Sequence, residues 1–206
     1  MNGILFKPEM VQAIVEGRKT VTRRVIKPQP IGRQFITTTM NPNVFALLDG
    51  TEKRLKNLKA PYEVGETVYI KEAWRPSWKA TEHYSAPAVE YKLGGEILAR
   101  TQAGQYPDGQ FHNAKWRSPL FMPEWAARYF IEIKDVRAER LQEITLEDAK
   151  AEGMPLALPY TRGNDFVGAR NLGRLGCFQV LWDSINKDYP WESNPWVFRY
   201  EFGRNT

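Results

Sequence analysis

Cysteine is nearly absent from this chain of 206 residues: Cys177 is the only one. That excludes an internal disulfide framework and any zinc site built on several cysteines. Histidine is almost as scarce, and His83 and His112 stand too far apart for the paired spacing of a helical zinc motif. Long apolar runs are missing as well, so no membrane-spanning helix is expected. The opening MNGILFKPEM has no apolar stretch of the kind a secretory signal needs, which makes a cytoplasmic location the expectation. No internal repeat or low-complexity tract appears.

What is present is ordinary globular usage, with 42% hydrophobic, 13% aromatic and 26% charged residues. The length suits a single domain spanning 1–206. The net charge of +5 is small but unevenly placed. Residues 1–34 hold seven basic side chains (Lys7, Arg18, Lys19, Arg23, Arg24, Lys27, Arg33) against Glu9 and Glu16, so the whole excess lies there. A basic cluster at one end of an otherwise neutral chain points to an anionic partner, nucleic acid first, although a solvated basic face has the same composition.

Periodicity supplies the organisation. Residues 2–6 read as a short strand. A helix follows, with Pro8 in its first turn, Met10, Val11, Ile14 and Val15 at helical spacing, and Gly17 as its stop. Residues 19–26 are β-branched and alternating, a strand that Pro28 and Pro30 end. Further strands are expected over 67–74, from Tyr129 to about Leu141, and over 196–202. In the last of these the alternation predicts Trp196, Phe198, Tyr200 and Phe202 inward and Arg199 and Glu201 outward. Residues 122–128 suggest a helical turn. Thr145 and Asp148 have capping-box spacing for a helix that Gly153 ends, and Cys177, Phe178, Leu181, Trp182 and Ile185 form the stripe of a last helix. Residues 28–61 read as an irregular excursion, 76–115 as a long loop region with one hairpin at Gly94-Gly95, and 155–174 as another loop. The pattern is that of an α+β domain around a small mixed or closed sheet, and the lack of a βαβ series argues against a doubly wound nucleotide fold.

The chemistry-bearing candidates are few. The glycines between Gly168 and Gly176 match neither a P-loop nor a dinucleotide fingerprint, and Cys177 on an apolar stripe reads as a core thiol. Trp74 and Trp116 flank loops and would offer stacking faces for bases, worth about 1–3 kcal/mol per base, unless core packing claims them. Lys19 and Thr22 stand where a helix gives way to a strand. Arg18, Arg23 and Arg24 crowd Lys19 with positive charge, which favours the neutral amine, and an amine beside a hydroxyl is a base and nucleophile pair. Strict strand alternation would send the two side chains to opposite faces, so the idea requires Lys19 to lie in the turn. An ordinary basic strand edge is the simpler alternative. Glu152 falls in the last turn of its helix, where the macrodipole disfavours negative charge and suits a proton donor.

The segment Gly17-Arg-Lys-Thr-Val-Thr-Arg-Arg24 resembles the signature of the ASCH domain family, Gly-x-Lys-x-x-Glu-x-Arg. Gly17, Lys19 and Arg24 match, and Thr22 replaces the glutamate. Small bacterial ASCH proteins that hydrolyse N4-acetylcytidine carry a similar Gly-Arg-Lys-Thr-x-Thr string. Residues 146–154, Leu181-Trp-Asp-Ser-Ile-Asn186 and Asn194-Pro-Trp-Val197 look like the larger phage and prophage members. The resemblance implies a PUA-like, mostly antiparallel β-barrel with peripheral helices and insertions at about 28–61 and 76–115. It implies an amidohydrolase acting on a modified nucleoside or RNA, with Lys19, Thr22 and Glu152 as the catalytic set. The basic segment (Arg18, Arg23, Arg24) and the rings of Trp74 and Trp116 are the candidates for ligand contact by their own charge and stacking chemistry. No metal or cofactor is implied. A non-catalytic RNA-binding module and a ribonuclease are the alternatives within the same family.

Overall fold

The computed structural model describes residues 1–32, 34–80, 85–98, 115–162 and 165–205. In chain order the elements are β1 (Gly3–Leu5), α1 (Pro8–Val15), β2 (Val21–Val25), β3 (Phe35–Thr38), β4 (Val44–Leu48), β5 (Arg54–Lys59), β6 (Thr67–Lys71), β7 (Trp74–Ala80), β8 (Ser85–Tyr91), β9 (Glu96–Leu98), β10 (Phe130–Arg140), α2 (Leu146–Ala151), β11 (Ala157–Arg162), β12 (Asp165–Asn171), α3 (Gly173–Ile185) and β13 (Trp196–Asn205). The chain is mixed α+β, with strands predominating and few helices, and the sheets of the described residues are open. No helix among these residues is long and apolar enough to cross a membrane. Backbone contacts divide the chain into two units, one of residues 1–12, 67–131 and 204–206, the other of residues 13–66 and 132–203.

In the first unit β1 runs parallel to β6, with Gly3 opposite Tyr69. The Tyr69 ring and the Lys71 stem occupy the space a Gly3 side chain would need, which explains the glycine. Strands β7, β8 and β9 form an antiparallel meander, and Gly94 and Gly95, both at positive φ, make the expected hairpin. Much of 76–115 is therefore sheet and not loop. His83, His112 and the rest of 81–84 and 99–114 lie outside the described residues, as does Arg33. Residues 122–128 hold one 3₁₀ turn, Glu124–Ala126. Tyr69, Trp74, Val89, Tyr91, Met122, Ala126 and Ala127 pack as this unit's core.

In the second unit β10, β13 and β2 lie side by side, and β13 pairs antiparallel with β2, Tyr200 opposite Thr22. Residues 28–61 are not irregular: β3, β4 and β5 form a meander on Ile36, Phe45, Ala46, Leu47 and Leu58. Asp49 builds the β4–β5 turn, its carboxylate accepting from the Thr51 and Lys53 amides and the Thr51 hydroxyl. The stretch 155–174 likewise contains the β11–β12 hairpin. Thr145 and Asp148 cap α2 reciprocally as their spacing predicts, and Gly153 ends it at φ +80°. Leu141, Ile144, Ala149, Met154, Cys177, Phe178, Trp182 and Val197 form the core between α2, α3 and β13.

Strand β13 is covered on both faces. Phe198, Tyr200 and Phe202 are buried as expected, and Glu201 is exposed. Arg199 is not outward in solvent but 5% exposed, because Asp148 of α2 lies over that face and takes its guanidinium.

Candidate active site

Helix α1 ends because Gly17 adopts φ +74°, with its amide closing on Ile14 and the next two amides, of Arg18 and Lys19, both reaching the Ala13 carbonyl. That turn releases Lys19 before β2 begins. Lys19 forms an isolated antiparallel bridge with Glu152, and the Thr20 amide donates to the Ala151 carbonyl at 2.8 Å. Glu152 caps the C-terminus of α2. Lys19 thus lies between α1 and β2, in the bridge to Glu152, whereas Thr22 belongs to β2 itself.

The Lys19 ammonium is buried and fully engaged. Nζ donates to Glu152 Oε2 at 2.5 Å, to the Val21 carbonyl at 2.8 Å and to the Glu152 carbonyl at 3.2 Å, one acceptor for each of its three protons. The other carboxylate oxygen, Glu152 Oε1, accepts from Arg23 Nη1 at 3.2 Å. Arg23, whose side chain has no exposure, also donates to Asp148 Oδ2 and Glu139 Oε1, each at 2.8 Å. Arg199 completes the cluster through a two-pronged contact with Asp148 Oδ1, at 2.9 and 3.0 Å. Lys19, Arg23 and Arg199 therefore face Glu139, Asp148 and Glu152, three cations to three carboxylates within the hydrogen-bonded cluster.

These contacts set the acidities. Burial lowers Lys19 below its usual 10.5; Glu152 opposes this by charge and hydrogen bond, and Arg24 and Arg23 push it further down. Burial acts to raise Asp148, but Arg23, Arg199 and the Thr145 amide outweigh it and hold the carboxyl below 3.8. The arrangement is a lysine with a loosened proton in contact with a carboxylate whose orientation a second cation fixes.

Thr22 is 5% exposed and lies on the opposite face of β2 from Arg23, with Arg24 and, across the strand pair, Tyr200. Tyr62 meets the Tyr200 ring edge-on at 5.5 Å, and burial raises the Tyr200 phenol above its usual 10.0. Arg18 is exposed and paired with Glu16. Arg23 is not a surface contact for a ligand, since its three carboxylate partners neutralise it inside the protein. Trp74 is a core residue of the first unit at 2% exposure, with Trp125 edge-on at 5.5 Å and the Arg117 guanidinium 4.9 Å from its ring centre, so no stacking face remains open. Trp116, in the same unit, is 40% exposed with Arg75 over its ring. Sequence reasoning missed Glu139 and Arg199 as members of the cluster. Asp148 it placed only as a cap. Among the described residues no group of three His, Cys, Asp or Glu is placed to hold a metal ion.

A cavity of about 700 Å³ adjoins the bridge. Arg18, Thr20 and Gly153, chain neighbours of Lys19 and Glu152, line it together with Lys150, Met154 and Arg174, among others. No family model, no curated protein and no solved structure matches the chain.

Proposed function

We propose that this chain is an amidohydrolase that removes an acyl group from N4 of a modified cytosine, N4-acetylcytidine being the reference substrate, on a PUA-like barrel of the ASCH type. The observation that supports this most is the contact of Lys19 with Glu152, two residues 133 apart in sequence that meet at 2.5 Å in a setting that loosens the lysine's proton. Two groups that relay a proton must stand within hydrogen-bond reach of each other before their acidities count.

In this reading neutral Lys19 takes the proton of the attacking hydroxyl, which belongs to Thr22 or to a water that Thr22 positions. The oxygen bonds to the acyl carbon and the bond from that carbon to N4 breaks. Glu152 passes the proton from Lys19 to the departing amine. If Thr22 attacks, water then releases the acyl group from its hydroxyl. In either version one water is consumed, and the products are the free acid and cytosine carrying its amino group. Arg23 orients Glu152 for the relay. A purely RNA-binding role draws less support, because Arg23 spends its charge on three carboxylates rather than on a groove.

The test is release of cytidine from N4-acetylcytidine by the purified protein. Lys19→Arg keeps the charge but holds its proton, so it should still bind substrate and lose about 10²-fold or more in rate. Thr22→Ser should retain part of the activity and Thr22→Val almost none. Hydrolysis by Lys19→Arg at the wild-type rate refutes the catalytic reading.

A further inference from the structure

The Lys19–Glu152 bridge has two sides. Lys19 and Glu152 send their side chains into the buried cluster, whereas Arg18, Thr20, Ala151 and Gly153 border the cavity. That cavity has the size of a small-molecule site, typically about 300–1,000 Å³. Ala151, Met154 and Pro155 give it apolar surface, while Lys150 from α2 and Arg174 from α3 bring charge from two separate elements. Arg18 is answered by Glu16. No carboxylate among the described residues forms an ion pair with Lys150 or Arg174. Arg174 is nonetheless held in place, because its Nη1 donates to the Met154 carbonyl.

We propose that this cavity is a binding site for the phosphate group of a nucleotide, separate from the buried pair and independent of whether that pair is catalytic. Two cations that form no ion pair among the described residues match a dianion, whereas a simple carboxylate would leave one of them unanswered. The Arg174 fork presents the paired donors that phosphate oxygens accept. The apolar surface of Met154, Ala151 and Pro155 suits the flat body of a nucleoside, and only Glu147 among the lining residues repels the ligand.

The experiment is calorimetric titration of the full chain with three probes: cytidine 5′-monophosphate, cytidine, and the dinucleotide CpC with its single phosphodiester. The monophosphate should bind about 10- to 100-fold more tightly than cytidine, the ratio expected of one or two charge-assisted hydrogen bonds. Lys150→Gln and Arg174→Gln should each bring that ratio towards one. Lys150 is exposed on its helix, so its variant folds as the parent does. A CpC affinity equal to that of the monophosphate assigns the same site to an RNA diester, and a weaker one assigns it to a monoester. Equal affinity for monophosphate and cytidine in the wild type, or a ratio unchanged in Lys150→Gln, overturns the proposal.

Discussion

Replacing Arg23 by leucine removes the cation at the centre of the buried cluster while filling much of its volume. The consequences for its three partners differ. Glu152 keeps Lys19 at 2.5 Å, and Asp148 keeps Arg199 at 2.9 Å. Among the described residues Glu139 keeps one ion pair, with Arg137, half-exposed and 3.7 Å away, and the weaker, longer-range charge of Arg199. The loss is therefore concentrated on one carboxylate that stays desolvated without a close partner. Removing one member of a buried ion pair costs about 3–5 kcal/mol. At about 2–4 °C per kcal/mol for a chain of this size, that corresponds to a Tm lower by roughly 6–20 °C. Urea unfolding followed by tryptophan fluorescence measures it, with Arg18→Leu as the control, an exposed pair worth about 0–1 kcal/mol. Combining Arg23→Leu with Glu139→Leu should recover part of the loss, because the stranded charge is then gone. If Arg23→Leu costs no more than Arg18→Leu, the cluster does not hold this unit together and the reasoning fails.

Acid sensitivity should trace to Asp148. Its folded carboxyl titrates below the unfolded value of 3.8, so it contributes stability above that pH and loses it as the pH falls through the lower folded value; urea midpoints between pH 5 and pH 2 should fall less steeply in Asp148→Asn than in the wild type. Gly153→Ala should cost more than Gly17→Ala, although both glycines have φ near +75 to +80°, a conformation that costs a residue with a Cβ about 1–2 kcal/mol. At Gly153 the added carbon would also lie 3.1–3.2 Å from the Lys19 and Ala13 Cβ atoms, whereas at Gly17 it meets nothing within 4 Å, and equal Tm losses in the two variants would contradict this account.

Much of the site's scaffold was legible because it depends on local chemistry. Gly17 as a helix stop, the Thr145–Asp148 reciprocal cap and Gly153 as the end of α2 follow from backbone needs that only certain residues meet. Together they place Lys19 and Glu152 at chain reversals. What spacing alone could not reveal was coverage. Alternation in β13 correctly separates Arg199 from Phe198 and Tyr200, but it does not say whether the second face meets water or another element. Here α2 covers it, and Arg199 and Arg23 become internal partners rather than surface charges. Trp74 misled for the same reason, since a tryptophan at a strand start looks alike in a core and beside a cleft. The β4–β5 hairpin had a signal, Asp49-Gly50 after an apolar run, that was outweighed by the polar character of β5, where Leu58 alone is buried.

The 133 residues that separate Lys19 from Glu152 also order events in time. A ribosome adding about 5–20 residues per second leaves Lys19 without its carboxylate for on the order of 10 s after it is made. During that interval β2 lacks β13 as well, since Val25 pairs with Val197. Early in synthesis Lys19 and Arg23 are therefore water-exposed cations on an unpaired strand, and their solubilising charge guards that edge against association with other chains. The same side chains change occupation once β10, α2 and β13 have all been made: a nascent-chain safeguard becomes the buried centre of the finished protein.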